Sequence, residues 1–186
     1  MAVGWDRPAP PAEEAAIARV ERELGIELPA DYREFLGKQN GGEPESNFFP
    51  AGDGFGHVRY FYSAGPTDDE YVDDLETAAR SYWPEGRPDD PIDPSFLPIG
   101  GDVFGNVICL KVRGEDYGAV YFWDHELAVS VGPYTRLADS FGKYFEGLRP
   151  PGAARPKLKR ILRGPCCTRR PWPRRLDDVP PQEPRT

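Results

Sequence analysis

The chain has 186 residues, of which 39% are hydrophobic and 12% aromatic, enough for one folded domain with a core. No apolar run approaches the about 20 residues that span a bilayer. Met1–Pro8 also lacks a basic region followed by an apolar stretch, so we expect a cytoplasmic protein without a secretory signal. Cys109 and the adjacent pair Cys166–Cys167 do not form the even, spaced set of a disulfide scaffold.

The charge is distributed unevenly along the chain. Residues 1–148 hold 12 of the 23 Lys and Arg and 28 of the 31 Asp and Glu, a net charge of −16. Residues 149–186 hold 11 basic and 3 acidic residues, a net charge of +8. A polyanionic body repels nucleic acid and attracts basic partners over long range, so no direct nucleic-acid binding is expected of it. Net charge also keeps proteins soluble, and alone it identifies no partner.

The first elements are predicted to be helical. Residues 12–24 carry apolar side chains at helical spacing, and Gly25 ends this helix because glycine accepts positive φ. A second helix starts at Pro29 and ends at Asn40–Gly42. The apolar side chains on the two helix faces are Ile17, Val20 and Leu24, then Tyr32, Phe35 and Leu36.

A Gly-rich loop at residues 52–56 precedes a predicted strand at residues 58–62. A third helix follows, with Asp68 or Asp69 as its cap and Pro84 at its end. One side of this helix is predicted to be lined by Val72, Leu75, Ala79 and Tyr82.

The second half of the chain is rich in predicted strands. Phe96–Ile99 leads into two apolar runs, residues 106–112 and 119–124, whose Gly- and Asp-containing connection is typical of a hairpin. Residues 127–131 alternate and predict another strand, and residues 137–148 predict a closing amphipathic helix. This order favours an α+β domain, in which N-terminal helices, a middle helix and a closing helix pack on an antiparallel-rich sheet.

Candidate catalytic groups are scarce. His57 and His125 are the two histidines, and His125 follows Asp124 directly, but neighbours on a strand point to opposite faces and form no ready dyad. Cys109 lies in an apolar run and is expected to be a small buried hydrophobe. We therefore predict no catalytic residue and no enzyme activity.

No cofactor or metal site is predicted either. The Gly motif at residues 52–56 lacks the strand and helix of a dinucleotide site, and the motif at residues 100–105 lacks the Lys-Ser/Thr of a phosphate loop. The acidic residues between 68 and 76 do not follow the ligand spacing of an EF-hand loop. A solvated acidic face is favoured over a metal site, and the same cluster suits a basic protein partner.

Residues 149–186 are rich in Pro and Arg and poor in aliphatic side chains, which favours disorder. Two alternatives stay open. Pro156–Arg163 has the pattern of a basic helical turn for nucleic acid, a membrane surface or the acidic body, and the segment also resembles translation beyond a frameshift in a GC-rich gene.

Several landmarks together resemble the SMI1/KNR4 (SUKH) superfamily. The segment Leu28–Leu36 followed by Asn40–Gly42 is similar to the family's N-terminal signature, and Ile17–Gly25 is similar to the helix before it. The later landmarks, in order along the chain, are Phe96–Asp102 with Gly105 and Asn106, Gly118–His125, and Ala138–Leu148. The resemblance spans residues 5–148, and such landmarks identify a fold better than a function.

The resemblance implies an SMI1/KNR4-like domain at residues 12–148, an N-terminal extension at 1–11 and a basic tail at 149–186. Many bacterial members look like immunity proteins that neutralise toxins, often nucleases or deaminases; others resemble regulatory scaffolds. An acidic body suits occlusion of a basic toxin cleft. The expected function is therefore binding of a cognate toxin with a basic surface, with no membrane partner. A non-enzymatic regulatory or scaffold module is the alternative.

Three polar, acidic segments are predicted to contact the toxin: residues 40–47, 68–76 and 89–93. Their candidate contact residues are Asn40, Glu43, Glu45, Asp68, Asp69, Asp73, Asp74, Asp89 and Asp90.

Overall fold

A computed structural model describes residues 4–51, 54–66, 73–127 and 132–151. Within these ranges the chain forms an α+β fold, as predicted. The helices are α1 (Glu14–Leu24), α2 (Ala30–Lys38), α3 (Leu75–Tyr82) and α4 (Phe141–Glu146). The strands are β1 (Trp5–Pro8), β2 (Gly42–Pro44), β3 (Phe48–Ala51), β4 (Gly54–His57), β5 (Tyr60–Phe61), β6 (Phe96–Gly101), β7 (Val107–Lys111), β8 (Val120–Trp123) and β9 (Tyr134–Ala138).

Seven strands form one sheet in the order β1-β2-β5-β6-β7-β8-β9, and each neighbouring pair is antiparallel. The predicted hairpin is confirmed, because Val107 lies opposite Trp123 and Leu110 opposite Val120. Strands β3 and β4 pair with each other as a separate hairpin, at the position where the sequence indicated only a Gly-rich loop.

Helices cover both faces of the sheet. On one face, Phe61 of β5 contacts Phe35 of α2 and Phe141 of α4, with ring centroids 5.7 and 5.9 Å apart. Trp123 projects from the other face, where the ring of Tyr82 at the end of α3 lies 6.3 Å away. Trp83 fixes this end of α3, because its indole N–H donates to the carbonyl of Phe96 at 3.0 Å.

The Asn40–Gly42 reversal lets three strands approach closely. Gly41 and Gly42 have φ values of 81° and 104°. A Cβ on Gly42 would lie 2.1 Å from the carbonyl oxygen of Arg7 in β1. Glycine is therefore required where β2 meets β1, and the predicted end of α2 at this reversal is confirmed.

The predicted cap of α3 is wrong. Asp74 caps the helix, and its carboxylate accepts a hydrogen bond from the Thr77 N–H at 2.8 Å. Ser63 pairs with the residues at the start of α3. Its N–H donates to the Asp73 carbonyl, and its carbonyl accepts from the Leu75 N–H. Asp68, Asp69 and Val72 lie outside the described residues.

The last strand and helix also differ from prediction. Leu137 lies in β9, which pairs with β8, and α4 begins only after Ser140, whose hydroxyl accepts from the Lys143 N–H at 3.3 Å. The strand predicted at residues 127–131 falls mostly outside the described residues. Trp5–Pro8 form the edge strand β1 in the segment that the sequence indicated as an extension. The proposed boundaries at residues 11 and 149 stay predictions.

Arg149 ties the end of the described domain to β3. Its carbonyl accepts hydrogen bonds from the N–H groups of Asn47 and Phe48 at 3.1 and 3.0 Å. Its N–H donates to the Phe48 carbonyl at 2.8 Å. The segment after α4 is thus held beside β3 by three backbone hydrogen bonds. Among the described residues, no helix is long and apolar enough to cross a bilayer.

Candidate partner-binding surface

Asn40 was predicted to contact a partner, but its side chain has a structural role. The residue is only 8% exposed. Its Oδ1 accepts from the Ala64 N–H at 2.7 Å, and its Nδ2 donates to the Ala64 carbonyl at 3.4 Å. Asn40 therefore holds the end of α2 against the segment after β5, and its predicted exposure is wrong.

Glu43 and Glu45 lie at the β1–β2 edge of the sheet. Glu43 is half-buried, with a carboxylate oxygen 3.7 Å from Nε of Arg7. Glu45 is exposed, and its backbone N–H donates to the Gly4 carbonyl at 2.9 Å. Of this pair, Glu45 has the more exposed side chain.

The other predicted residues flank α3. Asp73 is exposed and Asp74 caps the start of the helix, whereas Asp89 and Asp90 follow its end. The Oδ2 atom of Asp90 lies 3.5 Å from Nη2 of Arg87. The first acidic pair therefore lies at the start of α3, and the second lies in the loop that follows it. Asp68 and Asp69 lie outside the described residues, and toxin contact by this set stays a prediction.

The turn between β6 and β7 is built around one buried carboxylate. Asp102 is 8% exposed. Its Oδ1 accepts from the N–H groups of Phe104 and Asn106 at 2.7 and 2.9 Å, and its Oδ2 accepts from Nδ2 of Asn106 at 2.7 Å. A carboxylate with three donors is a charge-assisted network that fixes the backbone of the turn.

Asn106 links this turn to the loop after β8. Its Oδ1 accepts from the His125 N–H at 3.2 Å and lies 2.9 Å from Nδ1 of the same imidazole. Asp124 shapes the loop further, because its Oδ1 accepts from the Glu126 N–H at 2.9 Å. Side-chain hydrogen bonds therefore hold the two loops side by side at one end of the sheet.

These loops expose large apolar side chains. Phe104 is 73% exposed, Val103 51% and Leu127 40%. The same loops carry two carboxylates, of which Asp124 is partly exposed and Glu126 is exposed. We call this set the sheet-end surface: Val103, Phe104, Asp124, Glu126 and Leu127. Exposed aromatic and aliphatic side chains on a rigid support are typical of a protein-binding surface.

Sequence reasoning treated residues 100–105 as a turn and did not predict this surface. The available signal was two consecutive apolar residues, Val103 and Phe104, between the turn formers Asp102 and Gly105. No sequence pattern predicted that Leu127 belongs to this surface, because its position depends on the Asn106–His125 contact between separate loops.

Two titratable side chains, His57 and Cys109, are partly and fully buried. Burial lowers the pKa of His57, although the charges of Asp102 and Glu43 act in the opposite direction. Its Nδ1 is buried and forms no hydrogen bond within the described part of the chain. Burial raises the pKa of the Cys109 thiol. Across the described ranges, no three His, Cys, Asp or Glu side chains are grouped as metal ligands.

Comparison with known proteins identifies the family. The chain is 26% identical over 147 residues to the SPbeta prophage-derived uncharacterized protein YokK of Bacillus subtilis (strain 168), which covers 69% of this chain and 70% of that protein. The family model described as SMI1 / KNR4 family (SUKH-1) matches residues 11–147. Of the described elements, this match includes helices α1 to α4 and all strands of the main sheet except β1. The chain therefore belongs to the SMI1/KNR4 (SUKH-1) family.

Proposed function

We propose that this protein is an immunity protein that binds a cognate toxin through the sheet-end surface and thereby occludes it. Membership of the SUKH-1 family supports this class of function. The observation that carries the choice of surface is the 73% exposure of Phe104 on a turn fixed by the buried Asp102. An aromatic residue on a preorganised turn loses little conformational entropy when it binds.

The charge of the domain suits a basic toxin. Asp124 and Glu126 lie beside the apolar residues, within a body whose first 148 residues carry a net charge of −16. Opposite charge raises the rate of association, while buried apolar contacts slow dissociation. A toxin that acts on nucleic acid, such as a nuclease, would present the basic cleft that this combination fits.

Co-expression tests the proposal. The full chain is produced together with the product of the adjacent gene, and cell survival and co-purification are scored. We expect rescue and a stable complex with the wild-type chain. Phe104→Ser should weaken the complex by about thirtyfold or more, because a central aromatic anchor contributes about 2 kcal/mol or more.

Tyr117→Ser is the matched control. Tyr117 is 46% exposed and lies in the β7–β8 turn, at the opposite end of β7 from Phe104. Its substitution should leave rescue unchanged. Equal loss with both variants would remove the sheet-end surface from the proposal. Absence of toxicity or of any complex with the wild-type chain would favour the regulatory module, whose partner a pull-down would then seek.

A further inference from the structure

An apolar groove lies between β1, α2 and α4, on residues distinct from the sheet-end surface. It is open to solvent and has a volume of about 330 Å³, and its aromatic lining comes from Trp5, Phe35, Phe141 and Phe145. Phe35 and Phe141 are buried, whereas Trp5 and Phe145 are half-buried and keep part of their rings accessible. The groove therefore has a buried aromatic base and one partly exposed aromatic side.

The aromatic rings support one another. Trp5 and Phe145 are stacked, with centroids 5.9 Å apart and planes inclined by 22°. Phe35 lies beneath both, at 6.0 Å from Trp5 and 5.3 Å from Phe145. Because each ring is held by its neighbours, the groove is formed before any ligand arrives.

The groove's rim is acidic. Among the described residues, it carries the carboxylates of Asp31, Glu34 and Glu146 and a single cation, Lys38, which is paired with Glu34. Asp31 is fixed in place because its Oδ2 accepts from the Gly142 N–H at 2.9 Å. Three carboxylates against one lysine leave the rim with a net negative charge, which disfavours anionic ligands.

We propose that this groove receives an arginine side chain, flanked by apolar residues, from a partner protein. A guanidinium is planar and weakly hydrated, so it stacks on aromatic faces and pairs with carboxylates at the same time. Its aliphatic stem would contact the apolar base while Glu146 binds the head group. The groove shares no residue with the sheet-end surface, so this inference does not require that surface to bind a toxin.

A peptide titration tests the groove directly. The full ¹⁵N-labelled chain is titrated with acetyl-Ala-Leu-Arg-Leu-Ala-amide, and with the same peptide carrying citrulline in place of arginine. We expect shifts at the Trp5 indole N–H and the Phe141–Glu146 amides. The citrulline peptide should bind about threefold more weakly, because it keeps the shape but loses the charge.

Variants separate the groove from general attraction to an acidic protein. Glu146→Gln should weaken binding of the arginine peptide by about threefold, whereas Glu115→Gln, an exposed carboxylate in the β7–β8 turn, should not. Equal binding of both peptides, or shifts spread over other acidic surfaces, would overturn the proposal. Groove signals that move on dilution of the protein alone would assign the groove to a second copy of the chain and overturn it as well.

Discussion

Two regions of this domain are held in place by different forces. The aromatic layer between the sheet and helices α2 and α4 is formed by Phe35, Phe61, Phe141 and Phe145, whose rings contact one another. The β6–β7 turn is instead fixed by hydrogen bonds to Asp102. Apolar packing is distributed over many contacts, whereas the turn depends on one carboxylate. A substitution in the aromatic layer should therefore destabilise the whole domain, whereas a substitution in the turn should affect only the residues around it.

The largest effect is expected in the aromatic layer. Phe141 is 1% exposed, and its ring lies 4.7 Å from Phe35 and 4.8 Å from Tyr32. Phe141→Ala should lower the free energy of unfolding by about 3–5 kcal/mol, because it removes buried area and leaves a cavity. Urea denaturation measures this change. Hydrogen exchange should increase across the whole sheet.

Phe145→Ala is the companion variant. Phe145 is half-buried in the same layer, so its truncation should cost less than that of Phe141. A larger loss from Phe145→Ala than from Phe141→Ala would contradict the assignment of Phe141 to the centre of the layer.

A smaller and more local effect is expected at the turn. Asp102→Ala removes the acceptor of three hydrogen bonds and should cost about 2–3 kcal/mol, because the N–H groups of Phe104 and Asn106 lose their partner. Exchange of the residue 103–106 amides should increase, with little change at the aromatic layer. Asp124→Ala, which removes a single bond to Glu126, should cost about 1 kcal/mol or less. Equal losses would show that Asp102 has no special role.

The smallest effect concerns the pH dependence of stability that arises from His57, the last residue of β4. Burial lowers the pKa of His57 below its ordinary value of 6.5, so below that pH the unfolded chain binds more protons than the folded chain. The stabilising contribution is complete above the ordinary pKa and is lost as the pH falls toward the folded value. His57→Gln should reduce the slope of the free energy of unfolding against pH in this range. Urea denaturation of both proteins between about pH 7.5 and 5.5 tests it; parallel curves would contradict it.

Elements with strong local patterns could be predicted from the sequence. The apolar spacing of Ile17, Val20 and Leu24 predicted a helix, and all three are buried in α1. Gly25 has the positive φ of 62° expected of its end. The β7–β8 hairpin followed from two apolar runs and a turn, since both signals are local.

Features that depend on distant contacts could not be predicted. Asp6, Arg7 and Pro8 have no strand pattern, and they form β1 because β2 supplies a partner. Asn40 has the polarity of a loop residue, but Ala64, 24 residues away, satisfies its amide in the interior. The sheet-end surface likewise requires Asn106 and His125 to meet across two loops, which no local spacing encodes.

The three backbone hydrogen bonds at Arg149 determine where the chain can be truncated without disturbing the domain. A fragment ending at Leu148 would delete the carbonyl that receives the Asn47 and Phe48 N–H groups, and would leave the start of β3 without its neighbour. A fragment ending at Pro151 keeps these three hydrogen bonds and omits the basic segment beyond it. The C-terminal boundary for expression is therefore set by a main-chain contact at Arg149, one residue past Leu148, the last buried apolar side chain of the described core.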